Sequence, residues 1–158
     1  MTLKTEDALA AFHATLEAAT GLPSVKRNDV SLEGFDESGT PGVRWKMAMV
    51  DDDWSVIAVE LGDASPAYEL AVPAQLILAV EGLPGPDRDA VFTAAAEALS
   101  AALFPGGDAL IIAGKFEDLR VDDRIGRGHI MPEPAGRLPI ETIELAVQLI
   151  ITAPTPFG

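Results

Sequence analysis

The longest regular pattern in the chain covers residues 68–82, YELAVPAQLILAVEG. Every even-numbered position in it is apolar: Tyr68, Leu70, Val72, Ala74, Leu76, Leu78 and Val80. Alternation with a period of two is typical of a β-strand that has one face on the core and the other partly exposed. The pattern therefore predicts a long strand, ended by the Gly and Pro residues at 82–86. Pro73 has no N–H to donate to a sheet, so we expect a bend, a bulge or an edge there.

Two further stretches have the spacing of amphipathic helices. The first runs from about Thr5, its expected N-cap, to Thr20, with Gly21 as its C-cap. The second runs from about Asp87 to Phe104 and is rich in alanine, which allows close packing on a sheet. Their apolar faces consist of Leu9, Phe12, Leu16 and Ala19 in the first, and of Val91, Phe92, Ala95, Leu99, Ala102 and Leu103 in the second.

The remaining periodic stretches predict shorter strands. Val43–Val50 and Trp54–Leu61 flank an acidic turn and are expected to form a hairpin. Phe116–Asp122 is expected to be a short strand. Pro139–Ala153 alternates again, which indicates a closing strand that pairs antiparallel with the long one.

The order of these elements predicts an α+β fold, with a mostly antiparallel sheet and two helices packed on one face. With 158 residues, the chain is long enough for one domain that buries roughly 70% of its unfolded surface. We expect a single domain over 1–158, with a long Gly- and Pro-rich loop at 124–138 and a mobile C-terminal tail at 153–158.

Composition excludes several classes of function. The formal net charge is −14, from 25 acidic and 11 basic residues, which disfavours binding to nucleic acid or to anionic membranes. The chain has no cysteine, so it holds neither disulfides nor thiolate nucleophiles. No run approaches about 18 apolar residues, so we expect no membrane-spanning segment.

The sequence contains no HExxH, GxSxG or P-loop motif. His13 in the first helix and His129 in the long loop have no nucleophile or orienting partner at a motif spacing. We therefore expect no catalytic residues, no metal site and no cofactor. An enzyme such as an acyl transferase is the alternative of a different class, supported only by the two histidines and scattered carboxylates.

The segment 115–137 differs from the rest of the acidic chain, because its five basic and five acidic side chains cancel. Arginine is favoured at interfaces, since its planar guanidinium pairs with carboxylates. We expect a docking loop that uses Arg124, Arg127, His129 and Arg137. An ordinary solvent-exposed loop is the alternative.

The order of elements and several local patterns resemble the tail terminator proteins of long-tailed phages and of gene transfer agents. The matching stretches are the first helix with GLPSVKRN at 21–28, the 68–82 segment, the second helix with GGDAL at 106–110, and the closing strand. The resemblance implies a homohexameric ring at the head-proximal end of a virion tail, assembled in the host cytoplasm. Such a ring caps the tail tube protein and offers a surface to the head-side connector protein. Another neck or tail component is the alternative within virion assembly.

A ring needs contacts between neighbouring subunits. The second face of the predicted sheet is half apolar and includes Ile77, Ala79 and Ile150. A monomer has little use for such a face, so we expect these three residues at a cyclic, heterologous interface.

A ring at this position must also let DNA pass without specific binding. An acidic lining repels the duplex within a Debye length of about 8 Å at physiological salt. We expect the lining to contain Asp51, Asp52, Asp53, Glu69 and Glu81. The alternative is that the acidic surplus serves solubility alone, with Asp51–Asp53 a solvated turn.

Overall fold

A computed structural model describes residues 3–21, 42–48, 55–62, 66–81, 85–130 and 140–158. Its elements, in chain order, are helix α1 (Lys4–Thr20), strands β1 (Gly42–Ala48), β2 (Ser55–Leu61) and β3 (Pro66–Glu81), helix α2 (Gly85–Leu103), a 3-10 turn (Pro105–Gly107), and strands β4 (Asp118–Ile130) and β5 (Ile140–Ala153). All strand pairs are antiparallel. The fold is therefore α+β, as the sequence predicts.

β3 is the central strand of the sheet. Its 16 residues span roughly 50 Å at about 3.3 Å per residue. One side of β3 pairs with β5 from Tyr68↔Ala153 to Val80↔Glu141. β4 then pairs with the other side of β5, which gives the order β1-β3-β5-β4 with β2 also on β3. The predicted long strand and its antiparallel pairing with the closing strand are both confirmed.

The predicted hairpin is wrong. β1 pairs with residues 75–81 of β3, and β2 pairs with residues 66–71 of the same strand. β1 and β2 thus follow one another along a single edge of β3, because the long strand offers each of them a partner. Pro73 lies opposite the gap between them, as expected of a residue that interrupts a ladder. Residues 49–54 lie outside the described part of the chain.

The core lies between the two helices and one face of the sheet. Its largest members are fully buried and include Phe12, Phe116, Leu9, Leu16, Leu70, Leu76 and Leu103. Every second residue of β3 from Leu70 to Leu76 joins this cluster, and so does every second residue of β5 from Leu145 to Ala153. Since α1 and α2 contribute to the same cluster, both helices pack on this face, as predicted.

The ends of α1 agree only in part with the prediction. Gly21 is the C-cap, with a φ of 64°, and its N–H donates to the carbonyl oxygen of Glu17 at 3.2 Å. The N-cap position is taken by Leu3 rather than by Thr5. Thr5 lies inside the first turn and is fully buried, because the end of the chain packs on it. A Cβ added to Gly158 would lie 2.9 Å from the Thr5 side chain.

The C-terminal segment forms a turn against α1. The Gly158 N–H donates to the Thr155 carbonyl oxygen at 3.2 Å, and the Thr155 hydroxyl donates to the Gly158 carbonyl oxygen at 3.2 Å. Nearby, Lys4 Nζ donates to the carbonyl oxygen of Thr152 at 3.2 Å. These contacts and the packing of Gly158 on Thr5 hold the segment predicted as a tail beside the first turn of α1.

Replacing Thr5 with valine is expected to stabilise the protein by about 1 kcal/mol. The Thr5 hydroxyl is buried and has no hydrogen-bond partner among the described residues, and valine removes that polar group while keeping the side-chain shape. Thermal unfolding should show a melting temperature higher by about 2–4 °C. Thr5→Ser is the matched control, since it keeps the hydroxyl, removes the methyl group and should lower the melting temperature. The reverse order of the two variants would mean that the hydroxyl is satisfied.

β4 is longer than predicted. Residues 124–130, predicted as the start of a loop, continue the strand after an irregularity in register between Val121 and Ile125. The physical reason is the length of β5, which supplies Glu144 and Thr142 as partners for Gly126 and Gly128. The rest of the predicted loop, residues 131–138, lies outside the described residues.

Candidate assembly surface

β2 carries a group of exposed apolar side chains. Val56 is 44% exposed, Ile57 40%, Val59 49% and Leu61 85%. These four residues, here called the β2 patch, are half of the large hydrophobic side chains exposed in the described part of the chain. Single exposed apolar residues are ordinary on protein surfaces, whereas a contiguous group marks a contact surface.

A bulge in β2 brings three of the four patch residues onto one face. The register shifts between Val56 and Ala58, which leaves Ile57 as the extra residue. Val56, Val59 and Leu61 are consequently opposite Leu70, Tyr68 and Pro66. Without the bulge, Val56 and Val59 would alternate to opposite faces, because side chains in a strand have a period of two.

The face that holds the patch is the one that carries the core. Leu70, opposite Val56, is fully buried in the core cluster, and Tyr68, opposite Val59, is half-buried against it. Residues 56–62 are nevertheless all exposed, so the described parts of the two helices leave this part of the face uncovered. The patch therefore extends the apolar face of the sheet beyond the layer that the helices provide.

β2 also has an open edge. It pairs with β3 on one side, and no described strand lies on the other. An edge strand with an exposed apolar face is a site for association with another chain unless something covers it. The patch and the edge together make β2 the strongest contact surface in the described chain.

The interface residues predicted from the sequence lie elsewhere. Ile77 and Ala79 are within β3, in register with Glu144 and Thr142 of β5. Ile150 is 3% exposed, so the chain itself already covers it and it offers a neighbour almost no surface. The predicted interface residues do not include β2, although Val56–Val59 is an apolar run in the sequence. Apolarity alone does not distinguish a buried strand from an exposed one.

The residues of the predicted docking loop are mostly in a strand. Arg124, Arg127 and His129 all belong to β4, where Arg127 pairs with Ile143 and His129 with Glu141. Arg137 lies outside the described residues. The structure thus brings three of the four together on one strand.

The residues predicted to line a channel are not gathered in one place. Glu69 is half-buried in β3, between Ala58 of β2 and Thr152 of β5. Glu81 is the last residue of the same strand, twelve positions further on, which corresponds to about 40 Å. Asp51–Asp53 are outside the described part of the chain.

The polar groups near the first turn of α1 are paired with one another. Lys4, Gly114, Lys115, Glu117 and Thr152 line a pocket of ≈ 110 Å³. Within it the Thr152 hydroxyl donates to Glu117 Oε2 at 2.9 Å. Lys115 Nζ lies 3.9 Å from a carboxylate oxygen of Asp7. The pocket is thus stabilised by contacts within the chain.

The remaining chemical candidates are dispersed. His13 Nδ1 lies 3.9 Å from Glu17 Oε2, one turn along α1, whereas His129 belongs to β4. Over the described residues, no group of three or more His, Asp or Glu side chains is placed to hold a metal ion. None of the described helices is long and apolar enough to cross a membrane.

Comparison with known proteins finds similarity among solved structures. No protein-family model matches the sequence, and no curated protein matches it significantly. The chain is similar to a chain in the structure described as "Virion of native gene transfer agent (GTA) particle", with a TM-score of 0.42 and 18% sequence identity. The match covers 94% of this chain and 92% of the other.

Proposed function

We propose that this protein is a structural component of a phage-like virion, where it forms a ring that caps the tail tube and joins it to the head-side connector. The observation that carries the proposal is the β2 patch, an exposed apolar face on a strand with an open edge. Such a surface favours stable association with another chain over a monomeric state. The resemblance of the sequence to tail terminator proteins supplies the form of the assembly, a hexamer, and its two partners.

The contact surfaces of each subunit must be suited to a closed ring. In a cyclic assembly every subunit uses two different surfaces, one for each neighbour. The sheet has two different edges, with β2 and β1 on one side and β4 on the other. An open sheet with unlike edges is suited to this arrangement.

The acidic charge fits the passage of DNA through the ring. Lys and Arg contacts to phosphates add affinity, so a basic channel would retain the duplex. With a net charge of −14 per chain, a hexamer repels it. Because Glu69 and Glu81 are about 40 Å apart along β3, a channel wall that contains both must follow the length of this strand.

The experiment that tests the proposal measures mass and shape together. Purified protein is examined by native mass spectrometry and by negative-stain electron microscopy, with and without tail tubes. We expect six-fold particles of six 16.6 kDa chains, bound at one end of the tubes. A monomer that leaves both tube ends bare would overturn the proposal.

A further inference from the structure

β1 and β2 lie one after the other along the same side of β3. β1 pairs with residues 75–81 of β3 and β2 with residues 66–71, both antiparallel. In the described part of the chain, no strand lies on the other side of either one. These two free strand edges together are here called the β1–β2 edge. An unpaired edge is a site at which a second chain can add to the sheet.

We propose that two copies of this chain pair through their β1–β2 edges across a two-fold axis, with β2 of each copy against β1 of the other. The occupant of the β2 patch is then a second copy. This inference goes beyond the proposed ring, because a strand edge accepts one partner strand and β2 cannot serve both contacts at once. The dimer is the form of the chain before assembly, and it keeps the β2 patch from other contacts.

Strand direction permits this contact. β1 and β2 are both antiparallel to β3, so they point the same way. A two-fold axis perpendicular to the sheet reverses that direction in the second copy, so each β2 runs antiparallel to the β1 that it meets. The helix-bearing faces of the two sheets stay on the same side. Both copies use the same surface, as an isologous dimer requires.

The positions of the two strands along β3 select one register. The ranges 66–71 and 75–80 are symmetric about Pro73, since 71 and 75 are each two residues from it and 66 and 80 are each seven. An axis at Pro73 therefore gives every paired residue of β2 a partner in β1. A relative slip of one residue would bring opposite faces together. A slip of two residues would leave part of β2 without a partner.

Apolar residues of the two strands meet in this register. The three members of the β2 patch on the core face each lie opposite an apolar residue in β1 of the partner copy. The pairs are Leu61 with Val43, Val59 with Trp45, and Val56 with Met47. Directly opposite apolar pairs on adjacent strands stabilise a sheet. The patch thus gains apolar neighbours that its own copy does not provide.

The charged residues of the two strands are also complementary. Glu60 is the only charged residue of β2 and is exposed, whereas β1 contains Arg44 and Lys46 and no acidic residue. Glu60 is opposite Ala67, and Arg44 is opposite Ala79. Positions 67 and 79 are each six residues from the axis, so Glu60 meets Arg44 of the partner copy. Both residues belong to the face away from the core, because side chains alternate along a strand.

Cross-linking between introduced cysteines tests this contact directly, since the chain has none of its own. Arg44→Cys and Glu60→Cys are prepared as separate proteins, mixed, left to exchange and oxidised without tail tubes. We expect a disulfide-linked dimer of two 16.6 kDa chains from the mixture. Each variant alone is the control and should give none, because twelve positions of β3, about 40 Å, separate the two copies of either residue in the dimer.

Two results of this experiment would overturn the inference. A covalent dimer from Glu60→Cys alone would show that β2 meets β2. A mixture that gives no covalent dimer would show that β2 and β1 of different copies do not meet.

Charge reversal at Glu60 separates a local ion pair from the effect of overall charge. Glu60→Arg replaces −1 with +1, so the formal net charge goes from −14 to −12. If overall repulsion alone mattered, this variant would associate more tightly. The proposed contact instead places two arginines together, which should raise the dissociation constant of the dimer about tenfold or more.

The controls for this measurement use the same chemical change. Glu97→Arg alters an exposed position of α2 and should leave the dissociation constant unchanged or lower it. Glu60→Arg/Arg44→Glu restores opposite charges and should recover most of the loss. Sedimentation equilibrium measures all three variants. A Glu60→Arg dimer as tight as that of the wild type would overturn the inference.

This contact and the proposed ring fail separately. A chain that is monomeric without tail tubes and yet forms six-fold particles on them would reject the dimer and leave the ring intact. Cross-linked dimers from a protein that never forms six-fold particles on tubes would support the dimer and reject the ring.

Discussion

Replacing Phe12 with alanine is expected to lower the free energy of unfolding by about 3–5 kcal/mol. The Phe12 side chain has no exposed surface and meets the Phe116 ring edge-on, with ring centroids 5.8 Å apart and planes at 90°. The variant loses the burial of the ring, leaves a cavity and removes the aromatic pair, which by itself contributes about 0.5–1.5 kcal/mol. This is a large part of the 5–15 kcal/mol that stabilises a typical domain.

Urea denaturation measures the effect, and the chain offers a matched control. Phe157→Ala makes the same chemical change at a side chain that is 72% exposed, so it should alter the free energy of unfolding by no more than about 0.5 kcal/mol. Equal losses in the two variants would contradict the position of Phe12 at the centre of the core. Because the proposed ring would add its own stabilisation, both variants are compared at one protein concentration.

Replacing Val59 and Leu61 together with aspartate is expected to abolish ring formation. These side chains are 49% and 85% exposed, so the double variant should fold with nearly unchanged stability. In the ring, however, the two carboxylates would be buried in an apolar contact, which costs several kcal/mol unless they are paired. Since every subunit of the ring carries the change, the loss recurs at every interface.

Light scattering should therefore find the double variant at the mass of a single chain. Thr93→Asp/Ala94→Asp is the matched control, because it adds the same charge at two exposed positions of α2. This control should assemble like the wild type. If both variants assembled equally well, the β2 patch would have no part in the ring.

The sequence predicts well those elements whose buried face is visible in the local spacing of apolar residues. The alternation from Tyr68 to Val80 identified β3, and the stripe of Leu9, Phe12 and Leu16 identified α1. One continuous core buries Leu70 to Leu76 of the β3 pattern and these three residues of α1. The ends of the two patterns are less covered, since Tyr68 is half-buried and Ala19 is exposed.

The elements predicted incorrectly depend on distant partners. Asp51–Asp53 has the composition of a turn, which locally favours a hairpin, yet β1 and β2 both pair with β3. Gly126 and Gly128 weaken any local tendency to form a strand, but β5 supplies partners for both. Local propensity is a weak guide where a long strand provides hydrogen-bonding partners over its whole length.

The sequence does not predict the candidate contact surface, for a related reason. Val56 and Val59 are apolar in the sequence, but only the bulge at Ile57 puts them on one face. A bulge has no dependable sequence signal, and whether a helix covers a given part of a sheet depends on the packing of the whole domain.

The pairing of β3 with β5 has a consequence for synthesis of the protein. Paired residues are about 85 positions apart at Tyr68↔Ala153 and about 60 apart at Val80↔Glu141. At about 5–20 residues per second, a ribosome makes β5 roughly 3–17 s after β3. During this interval the apolar face and one edge of nascent β3 lack their partner, which is a state prone to aggregation. The speed of translation between residues 82 and 140 should therefore influence how much soluble protein a cell obtains.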